Sequence, residues 1–310
     1  MISLTISSNN NHYIIGIDIG GTNLRIGGVS SNNQLIDKPK RYSSRTLFDT
    51  DQPELILCEL IAQFIEDYPH WTLKGICLGF PGTVNLSKDT VISCPNLLAF
   101  TNRNIAKPLQ SKFHVPVIAE HDVLLLLSYD MEFLQIEDAD CITSFYIGTG
   151  LGNGIYIHGR FLDGKNGVAG ELGHIPLYSK KDMCSCGNQG CIELYSCGKA
   201  LEGIHTKHLP EIEFVEIFSH YNEYPVLKEY IEYMAIAIAT EINILDPNYI
   251  ILSGGVIHMK NFPLNDLYKN IHKYARKPYP EKALTFLLGS TEPFAGILGA
   301  GVYMWKKINK

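Results

Sequence analysis

The stretch from Tyr13 to Val29 reads YIIGIDIGGTNLRIGGV. Tyr13 to Asp18 is a short apolar run that predicts a strand. Gly20, Gly21, Thr22 and Asn23 predict a tight turn, and Leu24 to Val29 a returning strand. Backbone N–H groups at such a tip, beside a small hydroxyl, suit phosphate oxygens. Asp18, at the strand end, is a candidate for holding hydrated Mg²⁺. The pattern is neither GxxxxGK[ST] nor GxGxxG, so it supports neither a P-loop nor a dinucleotide-binding turn. Ordinary hairpins also use Gly-Gly, so the motif alone leaves both readings open.

The plan recurs further along the chain. Cys141 to Ile147 (CITSFYI), the turn Gly148-Thr149-Gly150-Leu151-Gly152, and Asn153 to His158 form a second strand–turn–strand unit. This duplication says more than either turn, because two phosphate-facing hairpins, one per domain, would grip a nucleotide from both sides. Strands and helices alternate around them. Helical spacing over Glu54 to Tyr68 predicts an amphipathic helix, and Lys74 to Gly79 a buried strand running into Phe80-Pro81-Gly82-Thr83. Asn96 follows Pro95 in a turn. Val115 to Ala119 predicts a strand that delivers Glu120, His121 and Asp122 at its carboxyl end, where open α/β sheets place ligands. Helices are expected over 123–134, 226–245 and 262–276, and strands over 249–252 and 283–288. Gly254 and Gly255 follow one of these strands and permit close approach of a ligand to the backbone. A last helix opens at Ala295. The class is α/β.

Between the second hairpin and the long helix lies GVAGELGHIPLYSKKDMCSCGNQGCIE, Gly167 to Glu193. One imidazole, His174, and three thiols, Cys184, Cys186 and Cys191, supply the four N/S ligands of a closed tetrahedral Zn²⁺ site. Gly187 and Gly190 lie between the thiols, where a sharp turn needs positive φ. Free cysteines are often only small buried hydrophobes, but three with a histidine and flanking glycines favour zinc. Glu171 and Glu193 flank the cluster without being needed by the metal. The metal is therefore expected to hold a binding surface while the chemistry occurs elsewhere.

Composition narrows the alternatives. The chain has 310 residues, 19% of them charged, with a formal charge of −6, which supplies no overall basic footprint for nucleic acid. No apolar run reaches the roughly 18 residues of a membrane span. Residues 1–12 show no signal-peptide pattern. Of eight cysteines, three have metal spacing, while Cys58, Cys77, Cys94 and Cys141 lie in apolar segments and are expected to be buried. A reducing cytoplasm fits this usage.

Taken together, DIGGTN, GFPG, PNL, the strand ending in EHD, GTGLGNG, GVAGELGH, CSCGNQGCIE and LSGGV resemble, in order, the motifs of the ROK family of sugar kinases and repressors. That family lies in the actin/hexokinase-like ATPase superfamily. The resemblance covers essentially the whole chain, and the ELGH–CxCGxxGCxE block is its most specific part. It implies a two-domain actin-like ATPase (ribonuclease H-like) fold with a zinc-bound loop. The expected division is residues 1–122 plus 297–310 against 123–296. It also implies ATP- and Mg²⁺-dependent phosphorylation of a hexose 6-hydroxyl. By the same resemblance Asp122 is the general base. Gly82, Asn96, Glu171, His174 and Glu193 contact sugar, and Gly20, Gly21, Thr22, Gly148, Thr149 and Gly150 grip phosphate. Gly254 and Gly255 match the adenosine motif, and a homodimer is the family's habit.

GVAGELGHIPL, HMKNFP and KYARKPYP are most similar to the D-allose kinase branch, so D-allose is the expected hexose; glucose, fructose and N-acetylmannosamine are the alternatives. One departure bears on this. Glucokinase-like members carry Asn-Asp at the base, with a further Asn two residues on; here His121 precedes Asp122 and Leu124 follows. His121 is accordingly a candidate sugar contact, or else a space-filling side chain. Repressors of the family carry a helix-turn-helix before the first hairpin; about a dozen residues precede Tyr13 here, so direct DNA binding is not expected. A zinc-ribbon interaction module would need two CxxC knuckles and a basic face. A sugar sensor without turnover is the remaining rival.

Overall fold

A computed structural model describes residues 11–309. They form two compact units: residues 11–135, 163–168 and 292–309, and residues 136–162 with 169–291. The division expected from the sequence falls just after Asp122, at the start of a helix. In the structure the whole of the helix that begins there stays with the first unit, because its apolar face packs against the C-terminal helix.

The first unit is built on a five-stranded sheet. Its strands are β1 (His12–Ile19), β2 (Asn23–Ser30), β3 (Lys40–Ser43), β4 (Thr72–Phe80) and, after a small side sheet, β8 (Val117–His121), in the order β3-β2-β1-β4-β8. β1 and β2 are antiparallel, closing at Ile19 opposite Leu24, while β4 and β8 run parallel to β1. The side sheet is formed by β5 (Thr83–Val84), β6 (Thr90–Ser93) and β7 (Arg103–Asn104), with β5 and β6 making the short hairpin that precedes Cys94.

Tyr13, Ile14, Ile15 and Ile17 of β1 are all buried, as expected of a strand covered on both faces. The one-turn α1 (Ser44–Leu47) is capped by Ser43. α2 (Pro53–Asp67) starts on proline and sends Leu57, Ile61 and Phe64, at helical spacing, into the core of this sheet. α3 (Ala106–Phe113) leads into β8, and α4 (Asp122–Phe133) leaves it. The C-terminal helix, Ala295–Ile308, crosses β1 and packs on α4. Its Gly299 makes that packing possible, since a Cβ there would lie 1.9 Å from the Leu125 carbonyl oxygen.

The second unit repeats the plan. β9 (Cys141–Ile147), β10 (Leu151–Ile157), β11 (Arg160–Phe161), β12 (Tyr249–Ser253) and β13 (Phe286–Leu288) lie in the order β11-β10-β9-β12-β13. Again a hairpin sits at the centre and two strands run parallel to its first arm. The helices are α5 (Glu193–Ser196), α6 (Gly198–His208), α7 (Pro225–Leu245) and α8 (Leu264–Tyr274). Several details differ from the sequence expectations. β10 begins at Leu151, two residues early, and the last strand shrinks to three residues because Glu281–Ala283 forms a 3₁₀ turn. α6 escaped prediction because only Leu201 of its eleven residues is buried, which leaves no apolar stripe to detect. Cys58, Cys77, Cys94 and Cys141 are buried thiols, as expected. No helix among the described residues is long and apolar enough to cross a membrane.

Candidate functional site

In the first unit the carboxyl ends of β1, β4 and β8 converge. β8 ends at His121, whose backbone is extended, and Asp122 opens α4. The Asp122 side chain is 28% exposed and its Oδ1 accepts a 2.8 Å bond from the Val123 N–H. His121 Nε2 stands 3.4 Å from the same oxygen. Burial pushes the Asp122 carboxyl up to about 6; the nearby Asp18 adds to the rise and His121 opposes it. A carboxylate with its pKa near neutrality suits a general base, since the ionised form is available and proton capture is favourable.

Asp18 is directly opposite Arg25 in the hairpin register, and Arg25 Nη1 donates to its Oδ2 at 2.9 Å. Burial raises the Asp18 pKa, with Arg25 working against it. The cross-strand partner was legible in principle from the hairpin itself. At the tip, the Gly20 N–H donates to the Asn23 carbonyl at 2.8 Å, and Asn23 Oδ1 accepts from Arg41 Nε at 2.9 Å. Thr22 and Asn96 are exposed. Asn96 lies against the tip, its Cβ 2.9 Å from where a Cβ on Gly21 would stand. The same test at Gly82 meets the Ser93 carbonyl oxygen at 2.1 Å, so backbone packing alone requires that glycine.

In the second unit the Gly148 N–H donates to the Gly150 carbonyl at 3.0 Å across the hairpin tip. The first N–H groups of α6 hold the outside of the turn: Gly198 donates to the Gly148 carbonyl at 2.7 Å and Lys199 to that of Thr149 at 3.3 Å. Glu193 Oε2 accepts from the Leu151 N–H at 2.8 Å, which places this carboxylate against the hairpin and leaves Oε1 for another partner. Gly254 has φ +98° and lies against Ile147, the last strand residue before the hairpin tip. A Cβ on Gly148 or Gly255 would meet only open space. A cavity of about 670 Å³ is lined in part by Thr149, Glu193, Cys184 and Lys199.

The four predicted metal ligands come together. His174, Cys184, Cys186 and Cys191 present ligand atoms that all lie within 4.8 Å of one another. His174 Nδ1 is 3.6 Å from Cys184 Sγ, and Cys186 Sγ is 3.6 Å from Cys191 Sγ. Zn–S bonds of about 2.3 Å and Zn–N bonds of about 2.0–2.1 Å imply tetrahedron edges of about 3.6–3.8 Å, so the donor set fits. The sulfur separation is far beyond the roughly 2.05 Å of a disulfide. Gly187 and Gly190 have φ of +93° and +71°, as the sharp turns require. With Nδ1 turned to the thiols, Nε2 of His174 faces Glu171 Oε2 at 3.6 Å. Glu171 is half exposed and belongs to no strand or helix.

Comparison with known proteins agrees with this layout. The sequence model of the ROK family matches residues 14–307. The chain is 28% identical over 279 residues to an N-acetyl-D-glucosamine kinase of Vibrio atlanticus (strain LGP32), covering 84% of this chain and 89% of the relative. It is 27% identical over 301 residues to the xylose repressor of Bacillus subtilis (strain 168), covering 92% and 76%. Among solved structures, a ROK family glucokinase from Streptomyces griseus in complex with glucose and AMPPNP superposes with a TM-score of 0.75. That pair is 24% identical, covering 93% of this chain and 98% of the other, and shows a shared fold. With two hairpin-centred sheets, an intact His-Cys₃ cluster and a family match over nearly its full length, the chain belongs to the ROK family and has the two-domain actin-like fold of its sugar kinases.

Proposed function

We propose that the protein is an ATP-dependent hexose kinase that phosphorylates the sugar 6-hydroxyl, with D-allose as its first substrate. The observation that carries the reading is Asp122, a carboxylate raised to about 6 at the carboxyl end of a strand. Phosphoryl transfer asks a protein for positioning and charge neutralisation more than covalent help. In this reading Asp122 orients the hydroxyl and takes its proton, the new O6–P bond forms, and the bond to the β-phosphate oxygen breaks to release ADP. The tips Gly20-Gly21-Thr22-Asn23 and Gly148-Thr149-Gly150 hold phosphate oxygens, and Gly254 and Gly255 flank the adenosine. Gly82, Asn96, His121, Glu171, His174 and Glu193 hold the sugar; exchange of Asn for His121 is what a changed hydroxyl configuration would call for.

His174 Nδ1, Cys184, Cys186 and Cys191 would hold Zn²⁺, which supplies a structural cross-link and no reacting group. Asp18 Oδ2 is already paired with Arg25, so Mg²⁺ carried in by ATP would meet Asp18 through its water shell. A homodimer, the assembly implied by family membership, is checked by light scattering.

A coupled ADP-release assay with D-allose, glucose, mannose, fructose, N-acetylglucosamine and N-acetylmannosamine tests the reading. Turnover highest with allose is expected. Another preferred sugar would overturn the allose assignment alone. Saturable sugar binding with no turnover on any of them would overturn the kinase and leave a sensor.

A further inference from the structure

β8, which delivers Asp122, is the last strand of its sheet. β4 pairs with one side of it, from Ile76 opposite Val117 to Phe80 opposite His121. An edge strand held on one side only is a poor mount for a group whose placement decides a rate. Lys88 covers the other side. It stands in the turn between β5 and β6 with φ +58°, an uncommon backbone for a side chain this long. Its carbonyl accepts the Ala119 N–H at 2.8 Å, which pins the open edge of β8 one residue before Glu120.

The Lys88 ammonium then turns inward. It donates to Glu120 Oε1 at 2.7 Å and to Asp163 Oδ1 at 2.5 Å. Glu120 is 1% exposed and fully engaged: Oε1 also accepts the His121 N–H at 2.9 Å, and Oε2 accepts the Tyr303 hydroxyl of the C-terminal helix at 2.7 Å. The His121 N–H is the last backbone donor before Asp122. Asp163 opens a strap, residues 163–168, that belongs to the first unit although its sequence neighbours on both sides belong to the second. The strap lies on β5, where Gly167, with φ +74°, comes so close to the Val84 carbonyl that a Cβ would stand 2.2 Å from its oxygen. Burial disfavours the Lys88 cation, but Glu120 and Asp163 outweigh it and hold the ammonium above its ordinary range.

We infer that Lys88 is a positioning residue for phosphoryl transfer: through Glu120 it fixes the strand end that aims Asp122, and through Asp163 it fastens the strap to that same strand end. The inference rests on the kinase reading for its rate consequence and on the structure alone for the fastening. A buried ion pair adds little to net stability; the role inferred for this one is to hold the groups it joins in a single arrangement. Nothing in the sequence around Lys88, Asn-Leu-Ser-Lys-Asp-Thr, marks it, since a lysine in a turn is usually a solvated one.

Hydrogen–deuterium exchange and steady-state kinetics on Lys88→Met, Lys88→Arg and Asp163→Asn test it. Lys88→Met is expected to speed exchange at both 119–123 and 163–168, leave 141–147 at wild-type protection, and lower kcat about 10²-fold, with KM for ATP within about twofold. Asp163→Asn should free only 163–168 and cost less in kcat; Lys88→Arg should recover most of both losses. Unchanged exchange at 119–123 in Lys88→Met would overturn the fastening. Loosened exchange with kcat within twofold of wild type, or a general loss of protection across the first unit, would overturn the positioning role. Absence of turnover in the wild-type protein would count against the kinase reading, while the exchange experiment still decides whether Lys88 joins strap and strand.

Discussion

The two five-stranded sheets share one strand order, yet the carboxylates mounted on them are secured by different means. In the first unit Asp122 sits at a strand–helix junction, and its surroundings are fixed by side chains: Lys88, Glu120, Tyr303, and the Asp18–Arg25 pair opposite. In the second unit Glu171 stands on irregular chain, followed by a single 3₁₀ turn, Leu172–His174, and then by a segment with no strand or helix until Glu193. Residues 174–192 are tied to one another by two isolated bridges, Pro176 to Cys191 and Met183 to Gln189, and by the His-Cys₃ cluster. The comparison teaches that a regular scaffold needs only a charge clamp to aim a side chain, whereas an irregular loop needs a cross-link. In the proposed reading, the Asp122 carboxylate captures the proton and the Glu171 and Glu193 carboxylates contact the ring.

The largest expected effect breaks the first half of that comparison. Asp122→Asn should lower turnover by about 10²–10⁴-fold while sugar affinity, measured by calorimetry, stays within a few-fold of wild type. An equal loss of both would return Asp122 to mere binding. Next in size, Cys184→Ser should release the metal, read by elemental mass spectrometry, and weaken sugar binding by roughly 10–100-fold. Tight sugar binding by the metal-free variant would show that the loop holds its shape unaided.

The pH profile sharpens the contrast. With the Asp122 carboxyl at about 6, kcat/KM should fall on the acid side as pH drops through that value, because the base must be ionised. His121 lowers this pKa and Asp18 raises it. His121→Asn should therefore move the acid limb up the pH scale, and Asp18→Asn should move it down. Limbs that do not shift would remove both side chains from the electrostatics of the base.

The smallest effect is on stability. A carboxyl whose folded pKa exceeds its ordinary 3.8 costs the fold most above about pH 6 and nothing once it is protonated in both states. Asp122→Asn should thus be more stable than wild type at pH 7, by at most about 3 kcal/mol, with the gap closing below pH 4. A variant that melts lower at pH 7 would contradict the burial argument.

Much of this was written in local patterns. The hairpins declared themselves because a short apolar run, a glycine-rich turn and a second run leave few alternatives, and the candidate metal ligands because their spacing keeps His174, Cys184, Cys186 and Cys191 close in the chain. α6 was silent: a helix with a single buried side chain carries no periodic signal. The Lys88–Glu120–Asp163 network was silent for another reason, since its members stand 32 and 75 residues apart and meet only through sheet topology. Glycines misled in one respect. Gly82 has a backbone reason to exist, its contact with Ser93, whatever it contributes to a sugar.

The central claim, that Asp122 takes a proton from a hexose 6-hydroxyl as ATP delivers its terminal phosphoryl group, is tested most directly by locating the new phosphate. Phosphorus–proton correlation spectra of the reaction with the preferred hexose should show phosphate on O6 alone, with the 6-deoxy analogue binding but accepting none, and with Asp122→Asn giving almost no product. Phosphate on a different hydroxyl, or O6 phosphorylation at an undiminished rate in Asp122→Asn, would contradict it.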